Sequence, residues 1–151
     1  MRRRLLGLSL FSLSLAALAS SGALAQELPV FKVGVLNDQS GVYSDVTGLG
    51  SVEAAKMAVE DFKPEQYGFK VQVVGADHQN KPDVGTAIAR KWFDQDGVDV
   101  IADVPTSSVA LALSAIIKEK DKVFLNSGAG TSDLTGKACT PNNVHWTYDT
   151  W

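Results

Sequence analysis

Blocks of apolar and polar residues alternate along the chain in a pattern that predicts strands and helices in turn. Four short apolar runs, rich in valine, have the length and composition of buried strands. They cover residues 30–36, 69–76 and 98–104, and a fourth starts at residue 123. Because stretches of helical periodicity separate these runs, the pattern predicts an α/β domain with a parallel sheet flanked by helices.

Three helices are predicted between the strands. In the first, residues 49–62, apolar side chains recur every three or four positions. Pro82 suits the first turn of the second helix and Gly97 its end, and the third helix covers about residues 107–120. Right-handed crossovers of this kind place the carboxyl ends of all strands on one edge of the sheet.

Polar loops follow the four predicted strands, and the first and the last of these loops are rich in glycine. They read NDQSGVYSDVTGLG, DHQNKP, DVPTSSV and NSGAGTSD. In an open parallel sheet, ligands bind beyond the carboxyl ends of the strands, where loops meet the N-termini of helices. The sequence therefore predicts that a binding site would lie at this edge.

Three consecutive hydroxyl residues, Thr106, Ser107 and Ser108, open the third predicted helix. Thr106 or Ser107 stands where an N-cap residue belongs, and a helix start leaves free backbone N–H groups with a partial positive charge. Such an end can hold a carboxylate. The loop with Thr131 and Ser132 offers a second set of donors. The alternative is that one hydroxyl caps the helix and the others face water.

Motifs for cofactors, metals and catalysis are weak. Gly48 and Gly50 are followed by Glu53 where a dinucleotide-binding fingerprint needs a third glycine, and no Gly-Lys-Ser/Thr sequence indicates a phosphate loop. The two histidines have no third metal ligand at a readable spacing. Ser107 lacks the Gly-x-Ser-x-Gly setting of a hydrolase, although an exported hydrolase that uses it stays an alternative. We expect a binding protein without cofactor or metal, not an enzyme.

The N-terminus has the pattern of a secretory signal peptide. Three arginines follow Met1, an apolar stretch comes next, and a small-x-small cleavage site ends at Ala25. Serines interrupt the apolar stretch, which disfavours a membrane anchor. We expect that residues 1–25 are removed and that residues 26–151 form one α/β lobe outside the cytoplasm.

Charge and cysteine content narrow the range of partners. The chain has 14 basic and 17 acidic residues, a formal net charge of −3, and loss of the signal peptide would remove three arginines. This acidic balance disfavours nucleic acid as a partner. The single cysteine, Cys139, is predicted to be a free buried thiol or, as the less favoured interpretation, half of a disulfide to sequence outside this chain.

Three segments carry a resemblance to a known family. They are KVGVLNDQSGVYSDVTGLGSVEAAKMAVEDF, VVGADHQNKPDVGTAIARKWFDQDGVDVIADVPTSSVALAL and VFLNSGAGTSDLTGKACTPNNVHWTYDTW. In this order and spacing, the chain resembles the periplasmic solute-binding proteins of ABC transporters of the branched-chain amino-acid type, which have the type I Venus-flytrap fold. The stretches DHQNKPDVG…ARKWFD and HWTYDT are most similar to a subgroup associated with aromatic acids and similar organic anions.

The resemblance implies two α/β lobes that close on a small ligand, a carboxylate or an amino acid, in the periplasm. It also implies an ABC permease in the inner membrane as the partner that receives the ligand. The ligand-binding loops of the family match these positions of the chain: Ser40, Gly41, Tyr43, Thr106, Ser107, Ser108, Ala129, Gly130, Thr131 and Tyr148.

Family members are longer than this chain. The resemblance therefore implies that the chain is an N-terminal lobe that lacks most of the second lobe, and that it ends inside a segment that leads there. A sensory ligand-binding domain of the same fold is the alternative function.

Overall fold

Five strands form a single sheet in the computed structural model, which describes residues 27–151. The strands are β1 (Val30–Asn37), β2 (Lys70–Asp77), β3 (Val100–Asp103), β4 (Val123–Asn126) and β5 (Asn143–His145). Their order is β2-β1-β3-β4-β5, and every pairing is parallel. The parallel sheet predicted from the sequence is confirmed, and the predicted signal peptide lies outside the described residues.

Three helices connect the first four strands, as the periodicity predicts. They are α1 (Gly48–Phe62), α2 (Pro82–Lys91) and α3 (Ser107–Glu119). Pro82 opens α2, where its missing N–H costs no helical hydrogen bond. A π-helical turn, Trp92–Asp96, extends α2 and ends at Gly97, whose φ of 69° is a left-handed conformation that favours glycine.

Two glycines in neighbouring strands show which helix covers which face of the sheet. Gly34 lies against the Trp92 ring, where a β-carbon would come within 2.4 Å, and Gly75 lies against Val52 of α1, at 2.8 Å. Since Gly75 pairs with Val35, the neighbour of Gly34 in β1, the two glycines point to opposite faces. Helix α1 therefore packs on one face, and the end of α2 packs on the other.

The main hydrophobic core lies between the sheet and the pair α2 and α3. Leu36, Ile101 and Phe124 project from three adjacent strands and are completely buried. They meet Leu113 and Ile117 of α3, which are also completely buried. This core holds the carboxyl ends of β1, β3 and β4 in fixed register, and it thereby positions the loops that follow them.

The other face of the sheet is bare at β4 and β5. Leu125 pairs with Val144 there, and the two side chains are 42% and 44% exposed. Trp146 follows β5 and is 82% exposed. Together they line an apolar groove of about 420 Å³. We call Leu125, Val144 and Trp146 the bare face.

Cys139 is exposed, so the prediction of a buried thiol is wrong. The residue lies in the loop between a 3₁₀ helix, Ser132–Leu134, and β5, where its backbone N–H donates to the Gly136 carbonyl. The Cys139 side chain does not reach the core from such a surface turn. Within residues 27–151, no helix has the length and apolar character that a membrane crossing requires.

Candidate functional site

A cleft of about 360 Å³ opens at the carboxyl edge of the sheet. Its walls come from the loops after β1, β3 and β4, from the first turns of α1, and from the segment after β5. The lining residues are Tyr43, Val46, Thr47, Ser51, Asp103, Pro105, Ser127, Gly128 and Tyr148. No lysine or arginine is among them.

The loop after β1 is shaped by a buried carboxylate. Asp38 is completely buried, and its two oxygens accept hydrogen bonds from the backbone N–H groups of Gly41 (2.8 Å) and Tyr43 (3.0 Å). These bonds close a tight turn and carry the Tyr43 side chain to the cleft. The N–H groups of Gly41 and Tyr43 therefore donate hydrogen bonds within the loop.

Asp77 ties the loop after β1 to the loop after β2. Its carboxylate accepts hydrogen bonds from the Ser40 hydroxyl (2.6 Å) and from the backbone N–H groups of Gln39 (3.0 Å) and Gln79 (2.7 Å). Desolvation on its own would raise the pKa of Asp77. The hydrogen bonds, helped by the charge of nearby His78, outweigh it and hold the pKa below its ordinary value of 3.8. Asp77 is thus an ionised acceptor that joins two loops.

The loop after β3 has a strained backbone. Asp103 and Val104 both adopt left-handed conformations, with φ of 75° and 60°. Such a φ is unfavourable for a β-branched residue, and a residue before proline normally prefers extended backbone. Val104 is held in place by burial and by a hydrogen bond from its N–H to the Leu36 carbonyl (3.1 Å). Strain of this kind concentrates at functional sites because the surroundings must be built to hold it.

This strained turn directs the Asp103 carboxylate to the cleft. Asp103 is 7% exposed and accepts hydrogen bonds from Asn37 Nδ2 (3.1 Å) and Ser127 Oγ (3.5 Å). The bond from Ser127 is long, so Asp103 Oδ1 can still accept a hydrogen bond from another donor. The cleft therefore contains a buried acceptor with a negative charge.

Helix α3 begins beside the cleft without a side-chain cap. Thr106 is its N-cap residue, but the Thr106 hydroxyl does not bond the helix; it donates to Asn80 Oδ1 at 2.7 Å. The first turn, which starts with Ser107 and Ser108, holds no acidic residue. The amides of this turn therefore keep the partial positive charge that attracts an anion.

The loop after β4 is folded around a buried amide side chain. Asn126 Oδ1 accepts from the N–H groups of Gly128 (3.2 Å) and Ala129 (2.9 Å), while its Nδ2 donates to the Ala129 carbonyl (3.0 Å). This arrangement presses Gly128 against the loop after β3, where a β-carbon would lie 2.7 Å from Pro105 Cα. Ser127 and Gly128 consequently face the cleft.

Tyr148 closes the cleft on the side of the segment after β5. Gly130 lies under the Tyr148 ring, where a β-carbon at position 130 would come within 2.8 Å of the ring. The Gly130 carbonyl accepts a hydrogen bond from the Thr150 N–H at 2.7 Å. His145 also contacts this loop through a hydrogen bond of 2.7 Å between Nε2 and the Ala129 carbonyl. The loop after β4 thus orients the aromatic wall.

Comparison with known proteins identifies the family. The sequence profile described as periplasmic binding protein matches residues 30–151. The chain belongs to the periplasmic binding protein family. No curated protein matches it significantly.

Solved structures of periplasmic binding proteins share this fold. One from Burkholderia mallei is 44% identical, with a TM-score of 0.76 over 80% of this chain and 32% of that chain. A branched-chain amino-acid ABC transporter periplasmic ligand-binding protein from Burkholderia xenovorans is 41% identical, with a TM-score of 0.75 over 79% and 32%. A solute-binding protein from R. palustris in complex with benzoate is 25% identical, with a TM-score of 0.65 over 79% and 33%. The chain spans about a third of the length of these relatives.

The structure brings only part of the predicted ligand residues to the cleft of this periplasmic binding protein lobe. Tyr43 and Tyr148 line it. Ser40 and Gly41 bond the carboxylates of Asp77 and Asp38.

Two further groups of predicted residues lie around the cleft. Thr106 is buried against Asn80, and Ser107 and Ser108 lie in the first turn of α3. Ala129 is completely buried, and Thr131 accepts from the Asp133 N–H at the start of a 3₁₀ helix.

Several lining residues, among them Asp103, Ser127 and Gly128, were not predicted from the sequence. Each lies in a loop that was already assigned to this edge, one to three residues away from a predicted position. The signal that could have found Asp103 and Ser127 is their place at the ends of β3 and β4. Their direction depends on φ values and on the Asn126 side chain, which residue type alone does not reveal.

Proposed function

We propose that the chain forms one wall of the ligand cleft of an extracytoplasmic substrate-binding component of an ABC transporter. Its ligand would be an amino acid or another small organic carboxylate, including aromatic acids. The protein would capture this ligand and deliver it to a permease in the inner membrane. No bond would be made or broken.

The cleft at the carboxyl edge carries this proposal. Its volume of about 360 Å³ suits a small molecule. Tyr43 and Tyr148 supply aromatic surface on which an apolar or aromatic part of a ligand can pack. The uncapped first turn of α3 supplies backbone donors for a carboxylate.

The hydrogen bonds around the cleft suit binding more than catalysis. The acceptors of the surrounding loops, Asp38 and Asp77, are occupied by hydrogen bonds within the protein. His78 accepts a hydrogen bond from the Asn80 backbone N–H, and His145 donates one to the Ala129 carbonyl. Among the described residues neither ring bonds Ser107, so neither supports it as a nucleophile. A rigid, prearranged wall of this type lowers the ordering cost of binding.

Residues 26–151 would form one lobe, and residues 1–25 would direct export. Contacts from one wall bury only part of a ligand, and closure of a second lobe buries the rest. The relatives extend well beyond the matched region. We therefore expect this chain alone to bind weakly.

A thermal-shift screen tests the proposal. Amino acids, benzoate and hydroxybenzoates are added to this chain and, in parallel, to the longer Burkholderia mallei relative. At a ligand concentration of about 100 times Kd, binding stabilises the folded state by about 2.7 kcal/mol. We expect the same acid to raise the melting temperature of both proteins, and more so for the relative. If no acid in the panel stabilises either protein, the proposed ligand class is wrong.

Variants of the two tyrosines locate the binding surface. Replacing Tyr43 or Tyr148 by alanine should weaken binding of the acid found in the screen by about fivefold, because aromatic packing contributes about 1 kcal/mol. Tyr67→Ala is the matched control, since Tyr67 is 66% exposed and stacks on Phe62, outside the cleft. Equal losses for all three variants would contradict the proposed site.

A further inference from the structure

A buried histidine lies behind the cleft. His78 is completely buried at the end of β2, and its Nδ1 atom accepts a hydrogen bond from the backbone N–H of Asn80 at 2.9 Å. An accepting Nδ1 carries no proton, so the neutral ring carries its proton on Nε2. The Nε2 atom is buried without a hydrogen-bond partner among the described residues.

Asn80 connects His78 to the start of α3. Its Oδ1 atom accepts a hydrogen bond from the Thr106 hydroxyl at 2.7 Å, across 26 positions of sequence. Thr106 precedes the first turn of α3, whose amides are uncapped. Two hydrogen bonds therefore connect the imidazole of His78 to the cleft-side end of this helix. We call His78, Asn80 and Thr106 the relay.

The backbone of the relay is held in an uncommon conformation. Gln79 and Asn80 both have left-handed φ angles, 54° and 57°. The turn is closed by the bond from Asn80 N–H to His78 Nδ1 and by the bond from Lys81 N–H to the His78 carbonyl at 2.9 Å. Loss of the first bond would remove a main support of a turn that is unfavourable for residues with side chains.

Resting on the function proposed above, we propose that His78 and Asn80 are positioning residues for the cleft. Neutral His78 holds the Asn80 turn, and this turn holds Thr106 and the uncapped start of α3 in the geometry that receives a ligand. Protonation of His78 releases the Asn80 turn and, with it, the start of α3. The relay makes the cleft sensitive to the acidity of its surroundings.

The proton balance gives the direction of this effect. A proton from hydronium adds to the lone pair of Nδ1 and leaves water, and the imidazolium then carries N–H groups on both nitrogens. Nδ1–H and Asn80 N–H are two donors facing each other, so their hydrogen bond cannot persist. The contact of His145 differs, because its Nε2 donates to the Ala129 carbonyl and would still donate after protonation.

Carboxylates of three neighbouring segments act on the charge of His78. Asp38 after β1, Asp77 at the end of β2 and Asp103 at the end of β3 all favour the imidazolium. Lys81 follows in the same turn, with its Nζ bonded to Gln79 Oε1. Burial disfavours the imidazolium and outweighs the carboxylates, so the pKa of His78 lies below its ordinary value of 6.5. The neutral, accepting form therefore predominates at neutral pH.

Hydrogen–deuterium exchange without ligand tests the relay. Exchange is followed in residues 77–82 and 104–110 from about pH 7.5 down to the lowest pH at which the chain stays folded, with correction for the intrinsic pH dependence of exchange. We expect both segments to lose protection together as the pH falls. Constant protection in both segments, or loss in residues 77–82 alone, would overturn the proposal.

Two variants separate titration of His78 from other effects of acid. His78→Asn places an amide oxygen near the position of Nδ1 but cannot be protonated in this range, so protection of both segments should become independent of pH. His145→Gln is the matched control, because it removes the other histidine of the chain and should leave the wild-type profile. A pH dependence that persists in His78→Asn, or that disappears in His145→Gln, would contradict the relay.

A third variant tests the coupling if His78→Asn does not fold. Thr106→Val keeps the shape of the side chain and removes its hydroxyl, so residues 77–82 should still open in acid while residues 104–110 no longer follow them. Concerted opening in Thr106→Val would show that the Thr106 hydroxyl is not the link. Because no ligand is present, these results do not depend on the thermal-shift screen, and either proposal can fail alone.

Discussion

Gly128 lies so close to Pro105 that a β-carbon at position 128 would come within 2.7 Å of Pro105 Cα and 3.0 Å of Asp103 Oδ1. Both neighbours belong to the strained loop after β3, and one of the two atoms is backbone. The contact therefore cannot be relieved by rotation of a flexible side chain.

Gly128→Ala should destabilise the fold by about 1–3 kcal/mol and disturb the cleft, because the loops after β3 and β4 must separate. The melting temperature measures this effect. Gly50→Ala is the matched control: it adds the same methyl group in α1, where nothing lies within 4 Å. An alanine in a helix should be neutral or stabilising. Equal effects of the two substitutions would contradict the close packing at Gly128.

Asp103→Asn should change the choice of ligand. The substitution removes the negative charge of the cleft but keeps a side chain of the same shape. A simple aromatic acid should bind more tightly, while a ligand with an ammonium group should bind about tenfold more weakly, because it loses a charge-assisted hydrogen bond. Isothermal titration with benzoate and with an α-amino acid measures both.

Glu60→Gln is the charge control for this experiment. Glu60 is exposed on α1 and does not line the cleft, so the variant should leave both affinities unchanged. If Asp103→Asn alters the two ligands in the same direction and by the same factor, the carboxylate does not discriminate between them.

Asp77 should make stability depend on acid below about pH 4. Its pKa is lowered in the folded protein, so the folded state favours the ionised form more than the unfolded chain does. The resulting stability is present above its ordinary value of 3.8 and is lost as the pH falls through the lower value of the folded state. Thermal unfolding across this range should show a smaller loss for Asp77→Asn than for the natural chain.

Asp61→Asn serves as the reference for Asp77→Asn. Asp61 is exposed near the end of α1, and its substitution should leave the acid profile of the natural chain in place. An Asp77→Asn profile identical to that of Asp61→Asn would show that the hydrogen bonds from Ser40, Gln39 and Gln79 do not stabilise the fold.

The bare face should promote self-association of the chain. Leu125, Val144 and Trp146 expose apolar surface beside β5, which is an edge strand. The double variant Val144→Thr with Trp146→Gln should lower the associated fraction in sedimentation velocity at high protein concentration. Leu49→Gln is the control, since Leu49 is 70% exposed on α1, away from the groove. An unchanged associated fraction in the double variant would exclude this face as the contact.

The sheet and helices could be predicted because their signals are local. Val52 and its neighbours repeat at helical spacing, and the apolar runs of β1 and β3 have the length of buried strands. Strand β5 is only three residues long, from Asn143 to His145. A periodic pattern needs more residues than that, so the sequence indicated only an extended segment.

The details of the cleft could not be predicted because they depend on distant contacts and on backbone conformation. Thr106 has the residue type of a helix cap, yet its hydroxyl bonds Asn80, which lies in another loop. Ala129 lies between two glycines, which indicates an open turn in the sequence. Hydrogen bonds with the Asn126 side chain instead hold Ala129 in the interior. The direction of the Asp103 side chain follows from its φ of 75°, which the residue pattern does not predict.

Asp38, Asp77 and Asn126 accept hydrogen bonds from backbone N–H and hydroxyl groups, and these bonds shape the loops around the cleft. The ion pairs within residues 27–151 use other side chains, such as Lys122 with Asp99 and Arg90 with Glu119. Mobile ions weaken interactions between exposed opposite charges far more than short, partly buried hydrogen bonds. The cleft should therefore keep its shape at both low and high salt concentration.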